Sequence, residues 1–428
     1  MHLDIRPCSA LRGEVKVPGD KSISHRALIF GAIAQGVTRI DHINPGGDVS
    51  STVTCLMKLG VDIRFDGRFM FVGGKDFFDL QAPTEVLDAK NSGTTMRLLA
   101  GLLAAQDFSS TISGDDSLRR RPMRRIIEPL QQMGAHIDST DGCPPLHIHG
   151  RELNGIEYEM PISSAQVKSC LLLAGLGAWG TTTIIEKEQS RDHTERMLRA
   201  MGAPISRVGN KISIRPGKLH DIDIKVPGDI SAAAFFIAAA LLVPDSDIFL
   251  PHAGVNPTRT GFIEVVREMG AHLKITGEKA VCGEPVANIR AQSCELQATE
   301  ISGVRIPLLI DEIPIIAVLA TQARGTTIIR DAAELRVKES DRVKLIASNL
   351  RNMGATVEEF PDGLSITGPT KLRGAEIDTA GDHRLAMAFT IAGLVAIGTT
   401  RILQPGSVTI SDPNFYDALS TLGVNGVV

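Results

Sequence analysis

Apolar and polar positions along this chain fall into a pattern that recurs six times. Each copy opens with an Ala/Leu-rich stretch of roughly helical length. The stretches read RALIFGAIA, RLLAGLLAA, KSCLLLAGLGA, AAAFFIAAALL, PIIAVLATQA and RLAMAFTIAGLVA. They are too long and too evenly apolar for strands, and being apolar on most faces they predict helices buried inside their domain. A β-branched segment follows, mostly of the form Gly-x-Thr-x-Ile, which predicts a strand. A loop and a second helix then lead to the phrase Leu/Met-Gly-Ala/Val and another strand.

The glycines of that phrase are Gly60, Gly134, Gly202, Gly270, Gly354 and Gly423, spaced by 74, 68, 68, 84 and 69 residues. A glycine just past a helix end supplies the left-handed cap. The two halves of the chain also copy each other. VKVPGDKS from Val15 and IKVPGDIS from Ile224 are offset by 209 residues. Six units in two halves predict two domains, one of residues 16–224 and one of 1–15 with 225–428. The chain should cross between them near 15–20 and 224–229. A pseudo-twofold protein of this kind is expected to bind its ligand in the cleft between its halves.

Composition refines this picture. The length of 428 residues alone suggests two or three domains of about 150 residues; the repeats replace that with two domains of three units each. Aromatic residues make up only 4% while glycines number 41, which fits closely packed Ala/Leu helices. The formal charge of −4 gives no general attraction to nucleic acid or anionic membrane. The longest apolar run, Ala232 to Val243, has 12 residues, too short to cross a bilayer. The first residues carry Asp4, Arg6 and Arg12 and no apolar signal core, so a cytoplasmic protein is expected. Six cysteines without a C-x-x-C pair are expected to be buried thiols, neither disulfides nor a zinc site.

The repeats differ most where their buried helices begin: GDKSISHR, KNSGTTMR, SSAQVKS, GDISAAA, IDEIPII and GDHRLAM. Helix N-termini present free N–H groups and a positive dipole end, which favour anions. Ser22, Ser92, Ser164 and Asp229 suit N-caps, and capping alone would account for them. It does not account for Lys21, Arg26, Arg97 and Arg384, placed where the dipole disfavours cations. These predict anionic ligands. The fourth copy, GDIS, has no cation and should be structural only.

Loops opening the second helices add DDSLRRRPMRR, EQSRDHTER and ELRVKESDR. Arg121 is the best ligand candidate among five arginines at 119–125, because Pro122 marks a helix start. Lys338 and Arg342 are spaced i,i+4, and Glu339 can reach Arg342; a salt-bridged surface turn is the alternative. Asp311, in apolar surroundings, suits either a base or an N-cap. His383 lies between Asp382 and Arg384, where it could orient a ligand or tune a proton. His147 and His149 share a strand face but have no third ligand at metal spacing, so they read as structural. The whole set describes transfer chemistry on two small polyanions, with the protein supplying charge and orientation.

At these residues the chain closely resembles the 5-enolpyruvylshikimate-3-phosphate synthase family. VPGDKSISHRAL, NSGTTMRLL, RRRPM, SSAQVKSCLLLAGL, LIDEIP, RVKESDR and GDHRLAMA appear in family order along essentially the whole chain. The resemblance implies an α/β fold of two inverse α/β barrels, each of three βαβαββ units with buried helices. It implies transfer of the enolpyruvyl group of phosphoenolpyruvate to the 5-hydroxyl of shikimate 3-phosphate, in aromatic amino acid biosynthesis, with no metal or organic cofactor.

The resemblance also implies roles for individual residues. Lys21, Ser22, Arg26, Ser164, Gln166, Arg191, Asp311 and Lys338 would hold shikimate 3-phosphate. Lys21, Asn91, Gly93, Arg121, Gln166, Arg342, His383 and Arg384 would surround phosphoenolpyruvate. Lys21, Asp311 and Glu339 would be catalytic, with Asp311 accepting the hydroxyl proton and Glu339 moving the proton at C3. Gly93 leaves room beside phosphoenolpyruvate, which implies sensitivity to glyphosate.

Neither half carries the full set, so the halves are expected to close over the substrates. Partners should be the two small substrates only, with no nucleic acid or membrane, and the working form a monomer. One family branch has a Lys just before its last helix; here the stretch is GSVTISDPNF and no Lys follows position 371. Two other readings compete. A UDP-N-acetylglucosamine enolpyruvyl transferase would carry a Lys-Asn pair at Lys21-Ser22 and a reactive Cys in the loop near 112–121, which has none. A non-catalytic ring-like clamp on nucleic acid is disfavoured by the net charge.

Overall fold

In the computed structural model, which describes residues 2–424 and 426, the six Ala/Leu-rich runs are helices. They span Lys21–Ala32, Gly93–Ala104, Ala165–Leu176, Ile230–Leu242, Ile313–Ala320 and His383–Val395. Every residue from Ile230 to Leu241 is buried. Small residues let these helices approach closely. A Cβ on Gly101 would sit 2.1 Å from the carbonyl oxygen of Cys170 on the neighbouring helix. Large rings would not fit at such contacts, so the core is mostly Ala, Leu and Ile, and Phe30, Phe235, Phe236 and Phe389 are the rings that these helices bury.

The chain divides into two units. One, the inserted unit, is Gly19–Val226 with Val281–Glu284. The other, the discontinuous unit, is Met1–Pro18, Pro227–Ala280 and Pro285–Val428. Each has its own apolar core, made by three buried helices and the inner faces of three larger sheets, with a further two-stranded pairing, Leu219–His220 with Ala34–Gln35, in the inserted unit. Asn425, Val427 and Val428, at the end of the sixth repeat, lie outside the described residues.

The sheets share one plan. In the second repeat the order is Leu87–Asp88, Ser109–Ser113, Cys143–His149, His136–Thr140. The short first strand pairs parallel with the strand that follows the buried helix, as Leu87 opposite Ile112. The remaining pairings are antiparallel.

The two V-P-G segments exchange partners. Arg12–Glu14 precedes the first buried helix but pairs with Asp247–Gly254 of the fourth repeat. Asp223–Lys225 precedes the fourth buried helix but pairs with Val37–Asp41 of the first. The strand His2–Ile5 pairs antiparallel with Thr400–Leu403, filling in the sixth repeat the place that the other repeats give to their own last strand.

The second helices end just before the repeat glycines. All six glycines take positive φ: Gly60 83°, Gly134 101°, Gly202 87°, Gly270 97°, Gly354 88° and Gly423 106°. Side chains disfavour that region, and the turn from helix to strand requires it.

Several local expectations change. Asp20, not Ser22, caps the first buried helix, accepting from the Ile23 N–H; the Ser22 backbone is already helical. Ser92 and Asp229 do cap, accepting from Thr95 and Ser231 N–H. Ser164 holds the N-cap position without a side-chain bond to its helix end. Glu312, not Asp311, stands at the N-cap of Ile313–Ala320, so Asp311 is left for another role. Pro122 lies before Met123, the N-cap of the helix Arg124–Gln132, and so not at its first position. Residues 338–341 are not helical and Arg342 opens the helix Arg342–Asn352, so Lys338 and Arg342 share no helix face. Of the cysteines only Cys55 and Cys170 are buried, and Cys282 is exposed in the turn after the strand Lys274–Val281. Burial pushes the Cys55 thiol up to about 12, which makes it unreactive.

The stretch GSVTISDPNF forms a 3₁₀ turn, Pro405–Ile410, leading to the helix Phe415–Thr421. Its Asp412 is 2% exposed. Burial, with help from the nearby Asp229 charge, raises its carboxyl to about 7, while the Asn414 N–H bond works the other way. A folded-state value above the unfolded one means that the protonated form favours folding. That contribution is full below about pH 4 and is lost as pH rises through 7. The shift corresponds to at most about 4 kcal/mol. Asp412→Asn is therefore expected to raise the melting temperature at pH 8 and to leave it nearly unchanged at pH 4. Equal effects at both pH values would contradict this.

Candidate active site

In the inserted unit, polar groups gather where the buried helices begin. Lys21, the first residue of its helix, places Nζ 2.8 Å from Asp48 Oδ2, in the first turn of the helix Gly47–Lys58. Ser22 is half-buried beside it, and its carbonyl accepts from Arg26 Nη1 at 2.8 Å. Arg26 is buried, and it also donates to Thr194 Oγ1 and Ser169 Oγ at 2.7 Å each. Its direct bonds are thus to neutral groups. Burial pulls its guanidinium down to about 10, against the opposing charges of Asp20 and Glu195 and with a smaller push from Arg191.

The half-buried Arg191 sits on a loop fixed at both ends. The fully buried Lys168 lies 3.1 Å from Glu186 and 2.8 Å from Glu195, and donates to the Ser190 carbonyl. Ser164, one turn before Lys168, accepts from the Lys168 N–H through its carbonyl at 3.0 Å.

A second linked set surrounds Gly93. Arg97 Nη1 donates to Gln166 Oε1 at 2.5 Å, and Gln166 Nε2 donates to Thr94 Oγ1 at 2.9 Å. Arg121 is the buried member of the five arginines at 119–125. It donates to Asn91 Oδ1 at 2.6 Å, to the Asn91 carbonyl at 3.2 Å and to Ser117 Oγ at 3.2 Å. Asn91 in turn donates to Asp115 Oδ2 at 2.8 Å. Asn91 therefore orients a guanidinium. Gly93 lies between the two arginines, since a Cβ there would sit 2.7 Å from Arg97 Nη1 and 3.5 Å from Arg121 Nη1.

In the discontinuous unit, three cations converge on Asp311. Arg384 Nη2 is 3.6 Å from its Oδ2, while Arg342 Nη1 and Lys338 Nζ are 3.7 and 4.0 Å from its Oδ1. Arg384 also donates to the Asp311 carbonyl at 3.3 Å. Arg342 is fully buried and held by Asp382 at 2.7 Å and by Glu339 at 2.6 Å. Burial opposes its charge, but Asp382, Glu339 and Asp311 outweigh that and raise its affinity for the proton. Burial shifts Lys338 the other way, below the usual lysine range, with Asp311 and Glu339 opposing. Asp382 also caps the helix of His383 and Arg384, accepting from the Arg384 N–H at 2.9 Å. His383 is buried directly behind this cap.

The fourth repeat differs from its expectation. Its cation exists, but comes from elsewhere. Arg259, in the loop before the helix Gly261–Glu268, bonds Ser231 and lies 3.7 Å from both Asp229 and Glu312. All four groups are buried, so this cation is engaged by carboxylates of its own unit.

Sequence reasoning missed Asp48, Thr94 and Arg259 and gave Arg97 no partner. Asp48 had a signal: GGDVSST opens a second helix, as do the loops singled out in other repeats. Arg259 had none, because its partners lie 28, 30 and 53 residues away along the chain.

Comparison with known proteins bears on these groups. Residues 5–419 match the family model described as EPSP synthase (3-phosphoshikimate 1-carboxyvinyltransferase). A 3-phosphoshikimate 1-carboxyvinyltransferase of Brevibacillus brevis is 50% identical over 420 residues, covering 97% of this chain and 99% of the relative. One of Synechococcus elongatus is 51% identical over 430 residues, covering 98% and 96%. A solved EPSP synthase from Acinetobacter baumannii superposes with a TM-score of 0.88 at 43% identity, covering 99% of this chain and 98% of that one. This chain belongs to the EPSP synthase family, the 3-phosphoshikimate 1-carboxyvinyltransferases.

Proposed function

We propose that this chain transfers the enolpyruvyl group of phosphoenolpyruvate to the 5-hydroxyl of shikimate 3-phosphate and releases phosphate. Beyond family membership, the observation that carries the reading is the carboxylate of Asp311 beside Lys338, Arg342 and Arg384. A base among cations suits deprotonation of a hydroxyl next to a bound polyanion.

The reaction needs four proton movements. The 5-hydroxyl oxygen bonds to C2 of phosphoenolpyruvate and gives its proton to Asp311, while C3 takes a proton from Glu339. The tetrahedral ketal then expels phosphate as a C3 methyl proton returns to Glu339, and the proton taken by Asp311 leaves with the phosphate. Glu339, 2.6 Å from Arg342 Nη2, is placed against a guanidinium assigned to phosphoenolpyruvate. Lys21, assigned to both substrates, offsets charge on the departing phosphate.

Lys21, Ser22, Arg26, Ser164, Gln166, Arg191, Asp311 and Lys338 are assigned to shikimate 3-phosphate. Ser164, Gln166 and Arg191 are given its phosphate and ring, with Arg191 on the phosphate. Lys21, Asn91, Gly93, Arg121, Gln166, Arg342, His383 and Arg384 are assigned to phosphoenolpyruvate. Asn91 acts by holding Arg121, and His383 by its place next to Arg384. The assignment draws on both units, and neither supplies every group the reaction needs. The proposal takes one chain as the working form and the cytoplasm, where phosphoenolpyruvate is made, as its location. No helix among the described residues is long and apolar enough to cross a membrane.

Phosphate release from phosphoenolpyruvate is expected with shikimate 3-phosphate and not with UDP-N-acetylglucosamine. The reverse preference would overturn the proposal.

Gly93→Ala gives a further test. The added methyl would press on Arg97 and come into contact with Arg121. The KM for phosphoenolpyruvate is expected to rise about tenfold or more, the scale of ~1–3 kcal/mol for an extra methyl in a packed site. Inhibition by glyphosate should weaken in parallel, and the KM for shikimate 3-phosphate should hold. Full activity of the parent chain at millimolar glyphosate would count against this view of the pocket.

A further inference from the structure

A cluster that enolpyruvyl transfer does not use lies on the second sheet of the inserted unit. The strands His136–Thr140 and Cys143–His149 place His136 opposite His149 and Asp138 opposite His147. The period-2 alternation puts all four side chains on one face. Three of them converge. His149 Nε2 lies 3.1 Å from Asp138 Oδ2, and His136 Nε2 lies 3.6 Å from Asp138 Oδ1. The two imidazole rings stand 4.6 Å apart, centroid to centroid.

We propose that His136, Asp138 and His149 form a binding site for a first-row divalent cation of the zinc and nickel class. The ligand atoms all lie within 4.8 Å of one another. A tetrahedral ion with bonds of about 2.0–2.1 Å needs ligand atoms about 3.3 Å apart. The two separations, each to a different oxygen of Asp138, bracket that value, and a side-chain adjustment brings all three ligand atoms to it. All three residues are exposed, which allows the adjustment and opens the site to ions from solvent.

Two imidazoles and one carboxylate favour zinc, nickel or copper over magnesium or calcium, which take oxygen ligands. His149 is also oriented from behind. Its Nδ1 lies 3.3 Å from Ser109 Oγ on the next strand, the arrangement that directs Nε2 toward an ion. The lone pair His147 and His149 lacked a third ligand in the sequence, and the neighbouring strand supplies both Asp138 and His136. Because His136–Thr140 is an edge strand, the ion would also tie that edge to its neighbour.

Titration calorimetry with Ni²⁺ on the full chain tests the site. Other groups, such as the exposed Cys282, can bind metals, so the readout is a difference between variants. The parent chain is expected to bind one equivalent more than His136→Ala or His149→Ala, and its melting temperature to rise with Ni²⁺ where theirs does not. Ser109→Ala is expected to weaken binding about 10–100-fold. Unchanged phosphate release in all three variants would show that each is folded. Equal stoichiometry in the parent chain and both histidine variants would overturn the proposal, and an unchanged affinity in Ser109→Ala would overturn the orienting role of that serine.

Discussion

Asp311→Asn is expected to lower kcat by about 10²–10⁴-fold while leaving both KM values nearly unchanged. The amide keeps the shape of the carboxylate but cannot accept the hydroxyl proton. It also removes one negative charge from the company of Lys338, Arg342 and Arg384, which lie 3.6 to 4.0 Å away. Those cations then hold anionic substrates at least as well as before. The loss should therefore fall on the chemical step, and single-turnover measurements will show it. If Asp311 and Glu339 work within one proton-transfer sequence, Asp311→Asn with Glu339→Gln should cost little more than the worse single change. A kcat within a fewfold of the parent would remove Asp311 from its role as base.

The second large effect is expected at Arg342. The residue is 0% exposed, and it bridges Asp382, also 0% exposed, to Glu339. Arg342→Ala leaves Asp382 charged and buried without its main partner. Breaking a buried pair from one side costs about 3–5 kcal/mol, and urea unfolding should register a loss of that size. Adding Asp382→Asn removes the orphaned charge while keeping an oxygen to cap the helix His383–Val395. The double variant should therefore recover much of the stability. It should not recover affinity for phosphoenolpyruvate, because the guanidinium is still missing. Recovery of both would mean that Arg342 serves only the fold.

The internal repeats made much of the fold legible from sequence. Six buried helices, six β-branched strands and six glycine caps follow from local patterns, because helix burial, strand preference and left-handed caps are set by residues close together in the chain. Lys21, Arg97 and Arg384 stood out for a similar reason, since a cation at a helix start conflicts with the helix dipole.

Other features had no local signal. The strand partners of Arg12–Glu14 and Asp223–Lys225 could not be read from two nearly identical segments, VKVPGDKS and IKVPGDIS, which suggest only where the chain crosses. Strand pairing is decided by which sheet edge the chain reaches, and both segments suit either edge.

The sequence by itself determined the repeat, its elements and the kinds of residue that gather where helices begin. Only the tertiary structure decided which charges meet. Asp382 reaches Arg342 across 40 residues, Arg384 reaches Asp311 across 73, and Asp138 meets His149 across a strand pair. Such pairs depend on distance in space, and at short range a buried pair interacts strongly whatever its separation along the chain. That is why Arg259 looked absent from the fourth repeat, and why His149 looked like a histidine without a metal partner.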